Sequence, residues 1–158
     1  MSSAEGTSTE GTSTEGTGTA PTVIVIVAAI IWDDSGRLLL VRKRGTERFM
    51  QAGGKIDAGE NAADALIREL HEELTLVVAP SDLEYLGRFH APAANEAGHV
   101  VDAEIFFVAV DGSRVRAAAV ASAEIDEVVW VTPREAMGIP LAPLTSEVLI
   151  PLLAERAE

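Results

Sequence analysis

The sequence predicts an α+β fold in which a mixed β-sheet is sandwiched between α-helices. Apolar runs rich in β-branched residues recur along the 158-residue chain, and one long amphipathic segment separates the first of them from the later ones. Elements in the order β-β-loop-α-β-β-β-α bury their apolar surfaces when helices cover the faces of a sheet. Hydrophobic residues make up 47% of the chain, which is enough for the core of one domain.

The first 22 residues differ in composition from the rest of the chain. The segment Glu5–Thr9 recurs as Glu10–Thr14 and, in weaker form, as Glu15–Thr19, with no large apolar side chain after the first methionine. Such a segment cannot bury enough surface to offset the entropy of ordering it. We therefore expect residues 1–22 to form a disordered, acidic, low-complexity tail and residues 23–158 to form the domain.

A β-hairpin is expected to open the domain. Val23–Trp32 is a continuous apolar and β-branched run, as in a central strand that is buried on both faces. Asp33–Gly36 has the composition of a turn, and Arg37–Arg42 is the returning strand. The segment Lys43–Glu60 is rich in glycine and charge, so it is interpreted as a loop.

One long helix follows this loop, because apolar residues recur at helical spacing over Asn61–Leu74. The later strands are apolar or alternating segments bounded by turn residues: Leu83–His90, His99–Val110 and Glu127–Val131. Two further helices are predicted: Pro133–Met137, with proline at its first position, and Leu144–Ala154, which Pro151 interrupts.

The charge and the residue types exclude several classes of function. With 25 acidic and 12 basic residues the formal net charge is −13, which argues against nucleic-acid polymers and anionic membranes as partners. It does not exclude a small phosphorylated substrate, because a bound divalent cation reverses the local field. The absence of cysteine excludes disulfides and thiolate metal sites, and it fits a reducing, cytoplasmic setting. No apolar run reaches the ~18 residues of a membrane span.

The long helix carries acidic residues where an apolar stripe is expected. With 100° per residue and Leu66 at 0°, Glu73 falls at roughly −20°, inside the apolar face. Glu69 lies at the margin near roughly −60°, and Glu72 continues the row near roughly −120°. The three carboxylates thus form a ridge that runs off the buried stripe.

Such a ridge needs positive charge, because an unpaired buried carboxylate is costly and neighbouring acids repel one another. Arg68 is spaced for an ion pair with Glu72, but one guanidinium does not neutralise three carboxylates. A hard divalent cation, Mg²⁺ or Mn²⁺, would do so. On the helix alone, a solvated acidic edge without a metal remains an alternative.

The spacing around this helix resembles the signature box of the Nudix hydrolases (the MutT-like family), Gly-x5-Glu-x7-Arg-Glu-U-x-Glu-Glu-x-Gly-U, in which U is a bulky aliphatic residue. The box spans Gly54 to Leu76, and eight of its nine specified positions match. The exception is Thr75, which stands where the family has glycine. A β-branched residue adopts the positive φ of a helix end only at a cost, so the helix is expected to end differently or to run one residue further.

The resemblance implies the Nudix fold and the hydrolysis of a nucleoside diphosphate linked to another group, by water attack at a phosphorus. It implies that Glu69, Glu72 and Glu73 hold Mg²⁺ or Mn²⁺, with the Gly53 carbonyl as a further ligand. The other implied catalytic residues are Arg68, which would orient the carboxylates, and Glu60, which would brace the junction of loop and helix.

The general base is left open by the sequence. Glu69 is the first choice, because it lies nearest the apolar stripe among the partly exposed acids. Glu104, in the strand after His99, and Glu96, in the loop before it, are alternatives, although either fits an ordinary edge-strand or loop carboxylate.

Substrate contacts are predicted just before the box, where four of the 12 basic residues fall within seven positions: Arg42, Lys43, Arg44 and Arg48. We interpret Arg42, Arg44 and Arg48 as phosphate-binding candidates and Glu104 as a further substrate-binding candidate. Phe49 either stacks on a base or is an apolar plug.

The alternative to an enzyme is a catalytically silent Nudix-fold module that binds nucleotides or regulates. This chain keeps all four glutamates of the box, whereas such modules usually lose one. The nucleotide that serves as substrate is left open between ADP-ribose, nucleoside triphosphates, dinucleoside polyphosphates and nucleotide sugars. A homodimer is a further possibility.

Overall fold

A computed structural model describes residues 20–109, 111, 113, 115 and 122–156. The predicted disorder of the tail concerns mainly residues 1–19, which lie outside this range, and strand β1 begins at Thr22. Among the described residues, no helix is long and apolar enough to cross a membrane.

The strands of the described chain are β1 (Thr22–Ile31), β2 (Leu38–Lys43), β3 (Phe49–Met50), β4 (Gly53–Lys55), β5 (Leu83–Pro92), β6 (His99–Val108) and β7 (Ile125–Val131). The helices are α1 (Ala62–Leu74), α2 (Pro133–Ala136) and α3 (Ile150–Arg156). A 3₁₀ turn covers Pro80–Asp82, and a π-helical segment, Leu144–Leu149, runs directly into α3.

The strands form two sheets, ordered β4-β1-β6-β5 and β3-β2-β7. Strands β1 and β6 are parallel, whereas the other pairs are antiparallel. The predicted mixed α+β architecture is therefore confirmed. The predicted β-hairpin of β1 and β2 is wrong, because the two strands belong to different sheets. An isolated bridge between Trp32 and Leu38 joins the two sheets where the chain turns from one to the other.

Helices cover both faces of the sheet at β1, because the side chains on both sides of this strand are apolar. Val27, Ala29 and Ile31 point towards α1 in one core cluster. Ala28 and Ile30 point the other way, into a second cluster with the C-terminal helices. The alternation of side chains along an extended strand explains how one uninterrupted apolar run serves two cores.

The prediction of a loop over Lys43–Glu60 is wrong in part, because β3 and β4 lie within it. These strands are only two and three residues long, and β4 contains two glycines, a residue depleted in strands. No alternating pattern can develop over so few residues. Pairing with β2 and β1 holds them in place instead.

The closing helix accommodates Pro151 by widening the turn before it. The backbone N–H of Ile150 donates to the Thr145 carbonyl, five residues earlier. A proline removes a helical hydrogen bond and crowds the carbonyl four residues before it. The π-helical segment relieves this crowding, so the helix continues where the sequence predicts an interruption.

Helix α1 has defined ends. Asn61 caps its start, its side chain accepting from the backbone N–H of Asp64 at 2.8 Å. Thr75 ends it in the left-handed conformation, with φ 57° and ψ 25°, and donates to the His71 carbonyl. The expectation that the helix ends differently or one residue later is therefore wrong: it stops where a glycine would stop it, and the threonine takes the positive φ.

Candidate active site

Two adjacent glycines of β4 let helix α1 approach the sheet closely. At Gly53, φ is 154°, and a Cβ atom would lie 2.0 Å from the Val27 carbonyl oxygen. At Gly54, a Cβ atom would lie 2.5 Å from the Glu69 carboxylate carbon. Only glycine fits at Gly53, where the contact is with backbone, whereas a side chain at Gly54 would displace the Glu69 carboxylate, which rests against the backbone of β4.

Arg68 ties the acidic residues of the site together. Its Nε and Nη2 donate to the two oxygens of Glu60, each at 2.9 Å, in a bidentate pair. Nη1 reaches Glu69 Oε1 at 3.0 Å and Glu72 Oε2 at 3.3 Å, and Nη2 also donates to the Lys55 carbonyl. The hydrogen bonds from Arg68 hold the pKa of the Glu60 carboxyl below its ordinary value.

Glu73 lies where the helical geometry predicts, at the buried edge of α1. Its residue is 1% exposed, and burial raises the pKa of its carboxyl to about 7. Lys43 opposes this rise of the pKa, and Glu69 adds to it. The carboxylate accepts from the Gly53 N–H at 3.3 Å and lies 3.5 Å from Lys43 Nζ. Lys43 Nζ in turn donates to the Gly53 carbonyl at 3.2 Å.

The donor set fits a hard divalent cation. Three carboxylates on one ridge and the Gly53 carbonyl offer only oxygen, which Mg²⁺ and Mn²⁺ prefer. The side chains of Glu69, Glu72 and Glu73 are 13%, 51% and 2% exposed, so the ridge runs from solvent into the core. A side chain at Gly54 would push the Glu69 carboxylate out of its observed position.

The carboxylates are turned towards basic side chains in this arrangement. Within the described part of the chain, no three acidic, histidine or cysteine side chains converge on one point. Arg68 holds Glu69 and Glu72, and Lys43 holds Glu73. A cation would bind here as these side chains turn from Arg68 and Lys43 towards one another.

A cavity of about 220 Å³ adjoins the carboxylate cluster. Its lining includes Gly53, Gly54 and Lys43, which contact the cluster, and apolar residues of β1 and the closing helix. Glu96, an alternative for the general base, also lines it. The cavity is thus placed to hold a molecule that reaches the carboxylates.

None of the five predicted substrate-binding residues lines this cavity. Arg42 lies 3.5 Å from both Asp126 and Glu127 and donates to the Thr46 carbonyl. Arg44 and Arg48 are exposed and do not line the cavity. Phe49 is 7% exposed in the second core cluster, so its packing favours the apolar plug that the sequence left open.

Glu104 lies on the α1 side of the sheet, in one cross-strand row with Val27 and Gly54. At about 4.8 Å per strand, its backbone lies about 10 Å from Gly54. Its carboxylate accepts a hydrogen bond from Tyr85. Glu104 therefore faces the same side of the sheet as the acidic ridge. Among the described residues, no hydrogen bond joins Glu104 to the ridge.

Three residues of the site carry little signal in the sequence. Lys43 stands out only as one of four neighbouring basic residues. Gln51 is a single polar residue between Met50 and Ala52, and Thr145 is the first of three consecutive polar residues. The signal for Gln51 is its place directly before Ala52 and the two glycines. Only the fold brings Gln51 and Thr145, 94 residues apart, into contact.

Comparisons with known proteins identify the class. The model of the NUDIX domain matches residues 23–153. The CTP pyrophosphohydrolase of Escherichia coli (strain K12) is 31% identical over 139 residues, which are 85% of this chain and 95% of that protein. The ADP-ribose pyrophosphatase of Methanocaldococcus jannaschii is 33% identical over 95 residues, which are 59% of this chain and 54% of that protein.

Solved structures agree with the fold. The solution structure of the Escherichia coli ORF135 protein is 30% identical, with a TM-score of 0.59 over 85% of this chain and 88% of that chain. The crystal structure of the MutT protein from Methanosarcina mazei Go1 is 21% identical, with a TM-score of 0.64 over 89% of this chain and 99% of that chain.

The fold, the acidic helix α1 and the family match together define a hydrolase of pyrophosphate bonds in nucleotide derivatives. The chain belongs to the Nudix family, whose members generally depend on a divalent metal and act on small nucleotides.

Proposed function

We propose that this enzyme hydrolyses a nucleoside 5′-triphosphate to the nucleoside monophosphate and pyrophosphate, with Mg²⁺ or Mn²⁺ as its cofactor. The observation that carries the proposal is the carboxylate ridge of α1, which Gly53 and Gly54 bring against the rim of the cavity.

Two further observations favour a triphosphate over a dinucleotide. One relative, 95% of whose length is covered by the match to this chain, is named a CTP pyrophosphohydrolase. The cavity, at about 220 Å³, is below the ~300–1,000 Å³ of common ligand pockets, which suits one base rather than two nucleosides.

Glu69, Glu72, Glu73 and the Gly53 carbonyl would hold the cation. When bound, the cation neutralises charge on the phosphate oxygens and on the leaving pyrophosphate. The backbone that carries these ligands is held in place, because α1 packs in the core and β4 pairs with β1. The turn of each carboxylate away from Arg68 or Lys43 is the movement that binding requires.

The reaction forms one P–O bond from the attacking water and breaks the P–O bond to the leaving pyrophosphate. Glu69 is proposed as the group that takes the proton of that water. It is half-buried against Gly54, at the margin between core and solvent. Glu104, which faces the same side of the sheet, and Glu96, which lines the cavity, remain the alternative bases.

Arg68 and Glu60 position the site. Their bidentate pair fixes the Arg68 guanidinium, whose remaining donors reach Glu69 and Glu72. Glu60 also accepts from the Asp57 N–H at 3.2 Å, which ties the loop before α1 to the same network. The pair therefore limits the orientations that the carboxylates adopt.

Lys43 and Lys55 line the cavity and are better placed for phosphate contacts than Arg42, which is paired with acidic residues. Arg44 and Arg48, as exposed cations, remain predictions for contacts with the outer phosphates. A cytoplasmic setting and a homodimer likewise remain predictions.

The test is the rate of hydrolysis with Mg²⁺ for the wild type, Glu72→Gln and Glu155→Gln. Loss of a cation ligand removes several kcal/mol of charge stabilisation, so Glu72→Gln should lower kcat roughly 100- to 10,000-fold. Glu155→Gln, an equal change at an exposed position of α3, should leave the rate unaltered.

A panel of nucleoside triphosphates, ADP-ribose and dinucleoside polyphosphates completes the test. The proposal expects the highest kcat/KM with a triphosphate and the release of pyrophosphate. Equal rates for the wild type and Glu72→Gln would contradict the site, and a preference for ADP-ribose would contradict the substrate class. Binding without turnover would indicate the silent module instead.

A further inference from the structure

The floor of the cavity holds a buried amide with an unused donor. Gln51 lies between β3 and β4, is 4% exposed and lines the cavity. Thr145, which is fully buried in the closing helix, donates from its hydroxyl to Gln51 Oε1 at 2.8 Å. Among the described residues, nothing accepts a hydrogen bond from Gln51 Nε2.

The anchoring of this amide is rigid. The backbone beside it is tied to the segment before the closing helix, since the Phe49 N–H donates to the Pro140 carbonyl and Ala142 donates to the Phe49 carbonyl. The hydroxyl of Thr145 occupies the oxygen of the amide. The NH₂ group is left buried and without an acceptor, in a residue that lines the cavity.

A buried N–H group without an acceptor is costly and uncommon in folded proteins. Such a group is retained where it serves a ligand, as in sites whose unpaired polar groups discriminate strongly against analogues that lack the matching atom. The rest of the lining is mainly apolar, which suits the faces of a planar ring.

We infer that Gln51 is a specificity residue that reads the nucleobase: its side-chain NH₂, held by Thr145, donates a hydrogen bond to a carbonyl oxygen of the base. This inference rests on the proposed function in that it takes the cavity as the base end of a nucleotide site. The favoured substrates are nucleotides of oxo-bases, and a base that offers an amino group at that point is disfavoured, because two donors would face each other.

Two purine nucleotides that differ in the 6-oxo group, and in the N1 proton that goes with it, provide the test. Inosine triphosphate carries an oxo group at C6, whereas purine riboside triphosphate carries only hydrogen there. For the wild type, we expect kcat/KM with Mg²⁺ to be about tenfold higher for inosine triphosphate, as one hydrogen bond in a buried site allows. Adenosine triphosphate, with an amino group at C6, should resemble purine riboside triphosphate or fall below it.

Gln51→Met, which keeps the length of the side chain without its amide, should reduce this preference to near unity. Thr145→Val, which removes the hydroxyl that orients the amide, should weaken it. Met50→Leu changes the apolar lining alone, so it should retain the preference. A wild type that prefers adenosine triphosphate, or a preference that survives in Gln51→Met, would overturn the inference.

Binding without metal separates this inference from the proposed function. Inosine and purine riboside monophosphates are titrated in EDTA while NMR follows the Gln51 side-chain NH₂ signal. The expected result is tighter binding of the inosine monophosphate and a shift of that signal with it alone. This result without any hydrolysis would support Gln51 and contradict the proposed function. Hydrolysis of triphosphates without a difference in binding between the two monophosphates would support the proposed function and contradict the role of Gln51. Binding of neither monophosphate would also contradict the inference.

Discussion

Glu73 places a carboxylate in the core, where an apolar side chain would ordinarily pack. Burial raises the pKa of Glu73 to about 7, although Lys43 and the Gly53 N–H both favour the charged form. One lysine, itself partly exposed, does not offset the desolvation of this group. The residue is therefore under electrostatic stress that a bound divalent cation would relieve.

The raised pKa of Glu73 predicts a dependence of stability on pH in metal-free protein. The folded state binds the proton more tightly than the unfolded state, whose pKa is near 4.5. The free energy of unfolding should therefore fall as the pH rises from about 4.5 to about 7, by about 3 kcal/mol at most. Urea unfolding in EDTA at pH 5 and pH 8 measures it.

Glu73→Gln is the control for this titration, because the amide mimics the protonated acid at every pH. The variant should lie within about 1 kcal/mol of the wild type at pH 5, where the unfolded carboxyl is already largely ionised, and be clearly more stable than it at pH 8. Other titrating groups cancel in this comparison. Parallel pH profiles for the two proteins would show that Glu73 is charged in the folded state throughout this range.

Arg68 acts through geometry as well as charge. Arg68→Lys keeps the charge but loses the planar fork that pairs with both oxygens of Glu60. We expect kcat to fall about 10- to 100-fold and the requirement for Mg²⁺ to increase. Arg134→Lys, at an exposed position of α2, should change neither quantity. Unaltered kinetics of Arg68→Lys would assign Arg68 a solvated surface role.

At the scale of elements, helix α1 has one strained end. Thr75 takes φ 57°, and it is the one non-glycine residue with positive φ in the described chain. A residue with a Cβ atom pays about 1–2 kcal/mol for this conformation. The exposed threonine makes no compensating packing that would require it.

Thr75→Gly should therefore stabilise the protein. The relief of strain exceeds the added entropy of glycine in the unfolded chain, so a gain of about 0.5–1 kcal/mol is expected. Thr75→Val, which keeps the branched Cβ, should give no gain. Urea unfolding of the three proteins measures the difference. A less stable glycine variant would show that the threonine is favoured at this position.

The elements that the sequence predicts best are those with long patterns. The β1 run and the period of α1 identify both within one residue of their observed ends, because each buries a continuous face. The sequence does not predict strands β3 and β4, because they are extended through pairing with distant strands and have no local pattern of their own. The passage of the closing helix through Pro151 depends on a π-helical turn that propensity does not describe.

The residues of the site likewise differ in how well the sequence predicts them. The ridge of Glu69, Glu72 and Glu73 follows from helical geometry, and the burial of Glu73 is confirmed. The pairing of Glu73 with Lys43 and the contact of Gln51 with Thr145 depend on how separate elements pack, so the sequence alone does not reveal them. Arg42 pairs with Asp126 and Glu127 because β2 lies beside β7.

At the scale of the whole molecule, the net charge of −13 has to be reconciled with a polyanionic substrate. Long-range attraction cannot draw the substrate in, because the protein's own field repels it. The local environment reverses this sign: Lys43 and Lys55 line the cavity, and the ridge beside them concentrates divalent cations. Activity should therefore depend on the metal more steeply than on any single basic side chain.

The most direct test of this account is a titration of Mg²⁺ into EDTA-treated protein, with release of pyrophosphate from a nucleoside triphosphate as the readout. The wild type should be inactive without metal and should gain activity to saturation. Glu72→Gln should remain inactive over the same range or require much more Mg²⁺, whereas Glu155→Gln should follow the wild type. Hydrolysis that persists in EDTA, or the same Mg²⁺ dependence in the wild type and Glu72→Gln, would contradict a cation held by the acidic ridge of α1.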